Sequence, residues 1–305
     1  MAAFTSFSEE ALKRYLKMFG RGELKSYSPI TTGIDNSNYW IELANNNESN
    51  EFILTILERL SFDEAPFFGK LLMHLHQYGL PVPTPQTTLD GMTSTIFCGK
   101  PCFLIRRLPG EHLKTASVEQ CVKIGGFLAA QRKSLSEIQI TKPNHYSVAW
   151  MTAVLDKQSA RLSVVDIQLL KECINLYQKL HDKGLPKGLI HGDLFRDNAL
   201  FQGGDLTGVI DYYRASEDLV TIDLAIAMND WCRDEHEAPD FARRQAMLDG
   251  YNNTQLLSDL ESNALIDLQI VAAARFALTR LESGEPPMKD PCEMIDLTRN
   301  LIALK

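Results

Sequence analysis

The most restrictive feature of this sequence is an acid–amide–acid pattern. It reads HGDLFRDN over residues 191–198 and GVID over residues 208–211. Asp193 is the first acid, Asn198 follows five residues later, and Asp211 ends an apolar run. The turn and strand between the acids place both near one end of a hairpin. This order suits a phosphoryl-transfer site, where one acid takes a proton from a hydroxyl while an amide and a second acid hold a metal. A polar loop capped by its own carboxylates is the disfavoured alternative.

Two residues around this pattern are predicted to be structural. The ring of His191 can hydrogen-bond the backbone near Asp211 and hold the loop. Asp223 lies just after Thr221 at the start of a predicted helix, so it can cap that helix or orient the loop, and capping is favoured.

Length and composition bound the class of protein. The chain has 305 residues, enough for two lobes, and a net charge of −8. This charge argues against a nucleic-acid partner, since phosphate backbones are neutralised by Lys and Arg. No apolar run has the length of a membrane span, the N-terminus lacks a secretory pattern, and the six cysteines form no C-x-x-C pair. We therefore expect a cytoplasmic protein with reduced thiols and no membrane partner.

Strands dominate the pattern up to about residue 107, and helices dominate after it. This asymmetry predicts an α+β fold, with a small N-terminal sheet lobe (1–107) and a larger, mainly helical C-terminal lobe (108–305). The predicted elements of the first lobe are a helix from Ser8 to Gly20, strands 24–30, 38–43 and 52–57, a helix over 65–78, and strands 92–97 and 102–107.

The segment between the first two predicted strands is a candidate cover for nucleotide phosphates. Its amides and side chains can donate to phosphate oxygens, and its candidate residues are Gly33, Asn36, Ser37 and Asn38. With a single glycine it is not a G-x-G-x-x-G loop, and taken alone an ordinary polar hairpin is favoured. The third strand carries Thr55 where a phosphate-binding Lys is expected, so it offers a hydroxyl without charge.

The strand ending near residue 107 is the candidate hinge between the lobes. Backbone groups from Arg106 to Leu108 are predicted to bind an adenine edge, with Ile53, Leu104 and Ile210 as apolar walls. A core strand leading into a turn is the alternative, and both descriptions can hold together.

A late helix offers Arg275 and Arg280 as candidates for gripping an anionic substrate group. Their five-residue spacing only partly shares a face. An ion-paired or solvated helix face is the favoured alternative for each.

These motifs resemble the aminoglycoside phosphotransferase and choline kinase superfamily, and more narrowly its homoserine kinases. Besides the HGD loop and Asp211, the matching stretches are GIDNSNY (33–39), FILT (52–55), GLPVP (79–83) and DLAIAMN (223–229). Thr55 departs from aminoglycoside kinases but is similar to the homoserine kinase branch.

The resemblance implies a two-lobed, protein-kinase-like fold and ATP-dependent phosphorylation of the side-chain hydroxyl of L-homoserine, on the route to threonine. It implies Asp193 as catalytic base, Asn198 and Asp211 as Mg²⁺ ligands, and ATP and Mg²⁺ as cofactors. The amino-acid acceptor needs an acid and a base, for which Asp230 and Arg275 or Arg280 are the candidates.

Two alternatives stay open. The first is a kinase of another small hydroxyl substrate, such as choline or another amino alcohol, a sugar or an aminoglycoside, suggested by acidic residues in the C-terminal region. These are Asp230, Asp234, Glu235, Glu237 and Asp240. The second is a non-catalytic nucleotide-binding scaffold, suggested by Thr55. The expected oligomeric state is a monomer or a homodimer.

Overall fold

The structure is a computed structural model that describes residues 5–31, 35–45, 48–235, 238–284 and 289–305. The chain forms two compact units, Met1–Gly110 with Thr207–Ile210 and Glu111–Leu206 with Asp211–Lys305. Strands dominate the first unit and helices the second, which confirms the predicted α+β class. The division into lobes 1–107 and 108–305 stays a prediction, because compactness alone does not define a domain that folds by itself.

An antiparallel five-stranded sheet forms the first unit, with strand order β1-β2-β3-β5-β4. The bounds are α1 Glu9–Leu16, β1 Glu23–Ile30, β2 Ser37–Asn45, β3 Glu48–Ile56, α2 Ala65–Gln77, β4 Thr95–Phe97 and β5 Lys100–Arg106. Strand β4 is shorter than the predicted 92–97. The N–H of Thr88 donates to the Met92 carbonyl at 2.9 Å and the N–H of Met92 to the Thr88 hydroxyl at 3.0 Å, so Met92 closes a turn instead.

One face of this sheet packs against α1. Ser8 begins α1 by accepting the Ala11 N–H, and Gly20 ends the following turn in the left-handed region, as predicted. Alternate residues of the strands meet the apolar face of this helix because successive strand side chains point to opposite faces. The resulting core contains Leu12, Tyr15, Leu16, Phe19, Tyr39, Ile41, Leu43, Phe52, Leu54, Ile56, Cys102 and Leu104.

Helices build most of the second unit. The bounds are α3 Val118–Leu135, α4 Val148–Gln158, α5 Val164–Asp182, β6 Lys187–Ile190, β7 Ala199–Gln202, β8 Asp205–Val209 (whose last residues belong to the first unit), β9 Ser216–Leu219, α6 Ile222–Trp231, α7 Phe241–Asn252, α8 Asp259–Glu282 and α9 Pro291–Ala303.

Helices α3 and α7 approach one another closely through glycine. A Cβ atom placed on Gly125 would lie 2.0 Å from the Met247 carbonyl oxygen, and one on Gly250 would lie 2.1 Å from that of Val122. Neither position has room for a side chain. Helix α3 also contacts α6, and β6 pairs antiparallel with β9 in the same unit.

Among the described residues, no helix is both long and apolar enough to cross a membrane. Cys98 and Cys292 are exposed free thiols, and the other four cysteines are buried free thiols.

Candidate active site

The HGD loop (residues 191–198) follows β6, and a buried carboxylate holds the start of the loop. Asp223, in the first turn of α6, accepts the N–H groups of His191 and Gly192 at 2.7 Å each. Gly192 has φ +79°, and a Cβ there would meet the Arg214 carbonyl oxygen at 3.1 Å. The loop therefore needs glycine at this position, and Asp223 orients the loop rather than serving as the helix cap that the sequence favoured.

A second network links this loop to the residues after Asp211. The Tyr212 hydroxyl donates to Gln131 Oε1 at 2.6 Å, and Gln131 Nε2 donates to Asp223 at 3.0 Å. The His191 ring lies 4.3 Å from the Tyr212 ring, between centroids. Burial raises the pKa of the Asp223 carboxyl, and the two backbone N–H donors oppose that rise. The HGD loop and the start of the segment after Asp211 are thus joined through α3 and α6.

Asp193 lies in a largely buried, charged environment within the second unit. Its side chain is 14% exposed, and Arg214 Nε lies 3.3 Å from its Oδ2. Burial raises the pKa of Asp193 to about 6, with Arg214 and Lys289 lowering it and Asp197 raising it further. A carboxylate in this setting is suited to accept a proton from a hydroxyl group.

Of the two predicted metal ligands, Asn198 belongs to this loop, and Asp211 immediately precedes Tyr212, which is linked to the loop through Gln131 and Asp223. Asn198 Nδ2 donates to the Asp193 carbonyl oxygen at 2.8 Å, so its Oδ1 is the atom left to act as a ligand. Asp211 has φ +63°, a left-handed conformation that few residues with a side chain adopt. Among the described residues, no group of three or more His, Cys, Asp or Glu could hold a metal ion. The metal role stays a prediction.

His191 is fully buried, and its Nδ1 accepts the Asp193 N–H at 3.2 Å. That contact fits the predicted structural role, because it fixes the backbone next to Asp193. The predicted contact with the backbone near Asp211 stays a prediction.

The three predicted substrate residues all have protein partners. Asp230 accepts the Arg196 N–H at 2.7 Å and pairs with its guanidinium. Arg275 is 2% exposed, pairs with Asp218 and donates to the Gly192 carbonyl oxygen at 3.1 Å. Their contacts favour structural roles, and the substrate role stays untested.

Arg280, the third of these residues, binds α9. Its Nη1 lies 2.6 Å from the Glu293 carboxylate and 2.7 Å from the Asp290 carbonyl oxygen. This ion-paired helix face is the alternative that the sequence favoured.

Sequence reasoning missed several residues that build the site. Arg214 contacts Asp193, Gln131 connects Tyr212 to Asp223, and Asp218 anchors Arg275. Only Arg214 had a sequence signal, since it lies three residues after Asp211. Gln131 reaches the site from α3, far away in the chain, whereas Asp218 lies in β9 close to Arg214 and its partner Arg275 is distant.

The predicted phosphate-covering residues hydrogen-bond within the first unit. Thr55 is 3% exposed and donates to Asn38 Oδ1 at 2.8 Å. Asn36 Oδ1 accepts the Glu58 N–H at 3.4 Å, and the Ser37 hydroxyl donates to the Glu58 carboxylate at 2.5 Å. Burial therefore removes the Thr55 hydroxyl from the surface, and a phosphate contact through it is not favoured. Gly33 lies outside the described residues.

The predicted apolar walls for adenine need a correction. Leu104 pairs with Leu54 and belongs to the core with α1, whereas Ile53 pairs with Ile105 on the opposite face of the sheet. Ile53 and Leu104 therefore cannot line one wall together, because neighbouring residues of a strand point to opposite faces. Ile210 belongs to the first unit.

The backbone near the predicted hinge is also engaged. The Arg106 N–H donates to the Thr84 carbonyl oxygen at 3.4 Å and the Arg107 N–H to that of Glu51 at 3.1 Å. These contacts do not favour an adenine contact through either N–H. The predicted role of Leu108 stays untested.

Comparison with known proteins identifies the family. The model of the phosphotransferase enzyme family matches residues 26–257. A homoserine kinase of Agrobacterium fabrum is 35% identical over 285 residues, covering 92% of this chain and 87% of that protein. A homoserine kinase of Methylobacillus glycogenes is 32% identical over 312 residues, covering 100% and 97%.

Solved structures share the fold. An amicoumacin kinase in complex with AMP-PNP, Ca²⁺ and Ami aligns with TM-score 0.74 at 15% identity, covering 98% of this chain and 93% of that one. Choline kinase from Cryptosporidium parvum aligns with TM-score 0.69 at 13% identity, covering 97% and 95%. These neighbours confirm the predicted protein-kinase-like fold. The fold and the HGD loop agree with the family model, and relatives at 32–35% identity cover nearly the whole chain. The protein therefore belongs to the phosphotransferase enzyme family, in its homoserine kinase branch.

Proposed function

We propose that this protein transfers the γ-phosphoryl group of ATP to the side-chain hydroxyl of L-homoserine, forming O-phospho-L-homoserine for threonine biosynthesis. The observation that carries the proposal is the HGD loop, in which a nearly buried Asp193 lies next to Asn198 and to the segment that follows Asp211. The curated relatives named homoserine kinase, at 32–35% identity, support the choice of acceptor.

Asp193 acts as the general base in this mechanism. Its carboxylate orients the acceptor hydroxyl and takes its proton late, because a loose transition state makes little demand on nucleophile strength. The pKa of about 6 leaves it ionised at neutral pH. Arg214 pairs with the ionised form, and Asp223 keeps the loop backbone in place. The role of the surrounding residues is thus to hold one largely buried carboxylate in position to accept a proton.

The donor atoms present fit a Mg²⁺ ion that accompanies ATP. Asn198 can offer its amide oxygen and Asp211 its carboxylate, and hard oxygen ligands of this kind suit Mg²⁺, which also keeps waters and phosphate oxygens. When bound, the ion supplies positive charge to the β- and γ-phosphates. Such a charge is all the more needed because the third strand carries Thr55 in place of Lys.

An ADP-release assay with L-homoserine, choline, L-serine and kanamycin tests the proposal. We expect turnover with L-homoserine to exceed that with each other acceptor, with O-phospho-L-homoserine identified by phosphorus NMR. Preference for choline or kanamycin would move the protein to another acceptor class. Binding of Mg·ATP without turnover of any small alcohol would favour the scaffold alternative.

We also propose a cytoplasmic protein, monomeric or homodimeric, whose partner is a small molecule rather than a nucleic acid or a membrane. The net charge of −8 and the six free thiols support this assignment. Light scattering after size-exclusion chromatography measures the oligomeric state directly.

A further inference from the structure

The HGD loop carries an ion pair that is open to solvent. Lys289 Nζ lies 3.0 Å from Asp197 Oδ2, and the two side chains are 47% and 59% exposed. Asp197 belongs to the loop, whereas Lys289 lies between α8 and α9. We call these two residues the exposed pair. Because ion pairs on the surface add little to stability, both charges can take up a ligand at small cost.

The backbone of the loop keeps Asp197 close to the proposed base. The Phe195 N–H donates to the Asp193 carbonyl oxygen at 2.9 Å, and the Asn198 N–H donates to that of Phe195 at 2.9 Å. Asn198 Nδ2 also donates to the Asp193 carbonyl oxygen, at 2.8 Å. These three hydrogen bonds fold residues 193–198 into a compact turn, so the exposed pair and the proposed base belong to the same small region.

The ammonium group of Lys289 is positioned on the same side of this region by aromatic rings. Its Nζ lies 5.9 Å from the centroid of the Phe195 ring, which packs edge to face on Phe276 with 4.6 Å between centroids. A cation over an aromatic face at this distance is attracted by the ring. Burial has the largest influence on the pKa of Asp193, and the charge of Lys289 is among the groups that lower this pKa.

Other charged pairs around the loop are more deeply buried than the exposed pair. Arg275 pairs with Asp218, and Arg196 pairs with Asp230. The side chains of these four residues are at most 20% exposed. Each of these pairs joins two elements of the second unit, so its charges support the fold.

The exposed pair has hydrogen-bonding capacity beyond its own contact. An ammonium group has three N–H donors, and a carboxylate has two acceptor oxygens. Among the described residues, the contact between the two groups uses one donor and Asp197 Oδ2, which leaves the other donors and Oδ1. An α-amino acid carries an ammonium group and a carboxylate on one carbon atom. Placed against the exposed pair, it would set each of its charges opposite a charge of the other sign.

We propose that Asp197 and Lys289 together bind the α-amino and α-carboxylate groups of an amino-acid acceptor and thereby direct its side-chain hydroxyl to Asp193. Asp197 accepts hydrogen bonds from the ammonium group, and Lys289 donates to the carboxylate. The inference rests on the proposed function and deepens it, because it names two residues that select an amino acid over an amino alcohol or a hydroxy acid.

The test uses two fragments of L-homoserine that each lack one charged group. 3-Aminopropan-1-ol has the hydroxyl and the ammonium group, and 4-hydroxybutyrate has the hydroxyl and the carboxylate. Their inhibition constants as competitors of L-homoserine are measured with the wild-type protein, with Lys289→Met and with Asp197→Asn. The ratio of the two constants is the readout, because any effect that reaches both fragments through Asp193 and the shared hydroxyl cancels in it.

We expect the two variants to move this ratio in opposite directions. Lys289→Met should weaken 4-hydroxybutyrate about tenfold relative to 3-aminopropan-1-ol, and Asp197→Asn should weaken 3-aminopropan-1-ol about tenfold relative to 4-hydroxybutyrate. Each variant should also raise KM for L-homoserine, which uses both contacts. Lys289→Arg keeps the charge and its donors, so it should retain most of the wild-type ratio.

An exposed ion pair in the first unit provides matched controls. Lys13 pairs with Glu9 on α1, and their side chains are 47% and 50% exposed. Lys13→Met and Glu9→Gln remove the same kinds of charge at similar exposure, outside the HGD loop. Both variants should leave the ratio of inhibition constants within about twofold of the wild-type value.

A ratio that stays at the wild-type value in both variants would overturn the inference, because the exposed pair would then only join the loop to the segment before α9. A shift in the same direction in both variants, or a wild-type protein that neither fragment inhibits competitively, would also overturn it. If Lys289→Met does not fold, as judged by circular dichroism, Lys289→Gln makes the same comparison. A wild-type protein inactive on L-homoserine would reject the proposed function, whereas an active one without the opposite shifts rejects the inference alone.

Discussion

The HGD loop and helix α8 carry charged side chains in the same unit, yet the two regions use their charges differently. In the loop, Asp193 keeps a partly exposed carboxylate beside Arg214. In α8, Arg275 is buried against Asp218 and binds the loop at the Gly192 carbonyl oxygen. The loop charge is partly accessible, whereas the charge of Arg275 is buried and supports the loop.

This contrast explains how the site can hold an ionised carboxylate that is largely buried. An ionised carboxylate out of water is stable only when neighbouring groups hold it. Asp223, Arg275 and Gln131 supply that support from three helices. The following predictions test whether chemistry and support are separable.

The largest effect is expected at Asp193. Asp193→Asn keeps the shape of the side chain and removes the base, so turnover should fall on the order of 10²-fold or more. Mg·ATP binding, measured by calorimetry, should stay close to wild type. Near-normal turnover would show that Asp193 is not the base. The distinction between a reacting charge in the loop and a supporting charge in α8 would then fail.

Arg275→Met tests whether the buried arginine of α8 stabilises the fold. It leaves the buried Asp218 carboxylate without its guanidinium, and breaking such a pair by removing one partner costs about 3–5 kcal/mol in unfolding free energy. Urea unfolding followed by circular dichroism measures the loss. A stability equal to wild type would show that the buried pair contributes little.

Glu261 tests how the stability of the second unit depends on pH. Burial raises the pKa of this carboxyl, but hydrogen bonds from Thr221, Ser258 and Arg132 outweigh burial and lower it. Its stabilisation is therefore present above the unfolded-state pKa of about 4.3 and is lost as the pH falls through the lower folded-state value.

The variant Glu261→Gln should lose about 1–3 kcal/mol at neutral pH, because bonds to an ionised group are replaced by weaker ones. The difference in Tm from wild type should shrink as the pH is lowered below about 4. A difference that grows in acid would contradict the sign of the pKa shift.

The smallest effect is expected for Arg280→Met, on the same helix as Arg275. Its pair with Glu293 is partly open to solvent, and such pairs are worth at most about 1 kcal/mol. The same urea titration therefore compares two arginines of α8, one whose acidic partner is fully buried and one whose acidic partner is exposed. A loss as large as that of Arg275→Met would remove the distinction between the two positions.

The sequence predicted those features whose partners lie close together in the chain. Asp193, Asn198 and the segment starting at Asp211 fall within about twenty residues, and their fixed spacing indicated the HGD loop and the site. Period-two and helical patterns predicted most strands and helices of the first unit for the same reason, because neighbouring positions determine them.

Features with distant partners could not be predicted this way. Arg275 and Asp218 are 57 residues apart, and the register that places Leu104 and Ile53 on opposite faces depends on which residues of β3 and β5 pair. The burial of Thr55 likewise depends on the sheet as a whole. A charged residue on a helix looks the same in sequence whether it faces a ligand or a buried acid.

The glycine contact between α3 and α7 affects the active site, although neither glycine contacts the HGD loop. A methyl group at Gly125 or Gly250 would push the two backbones apart. Because α3 also carries Gln131 to Asp223, such a shift would loosen the HGD loop from a distance. A substitution at either glycine would therefore reduce activity indirectly. It would displace α3 while leaving every residue that takes part in the reaction unchanged.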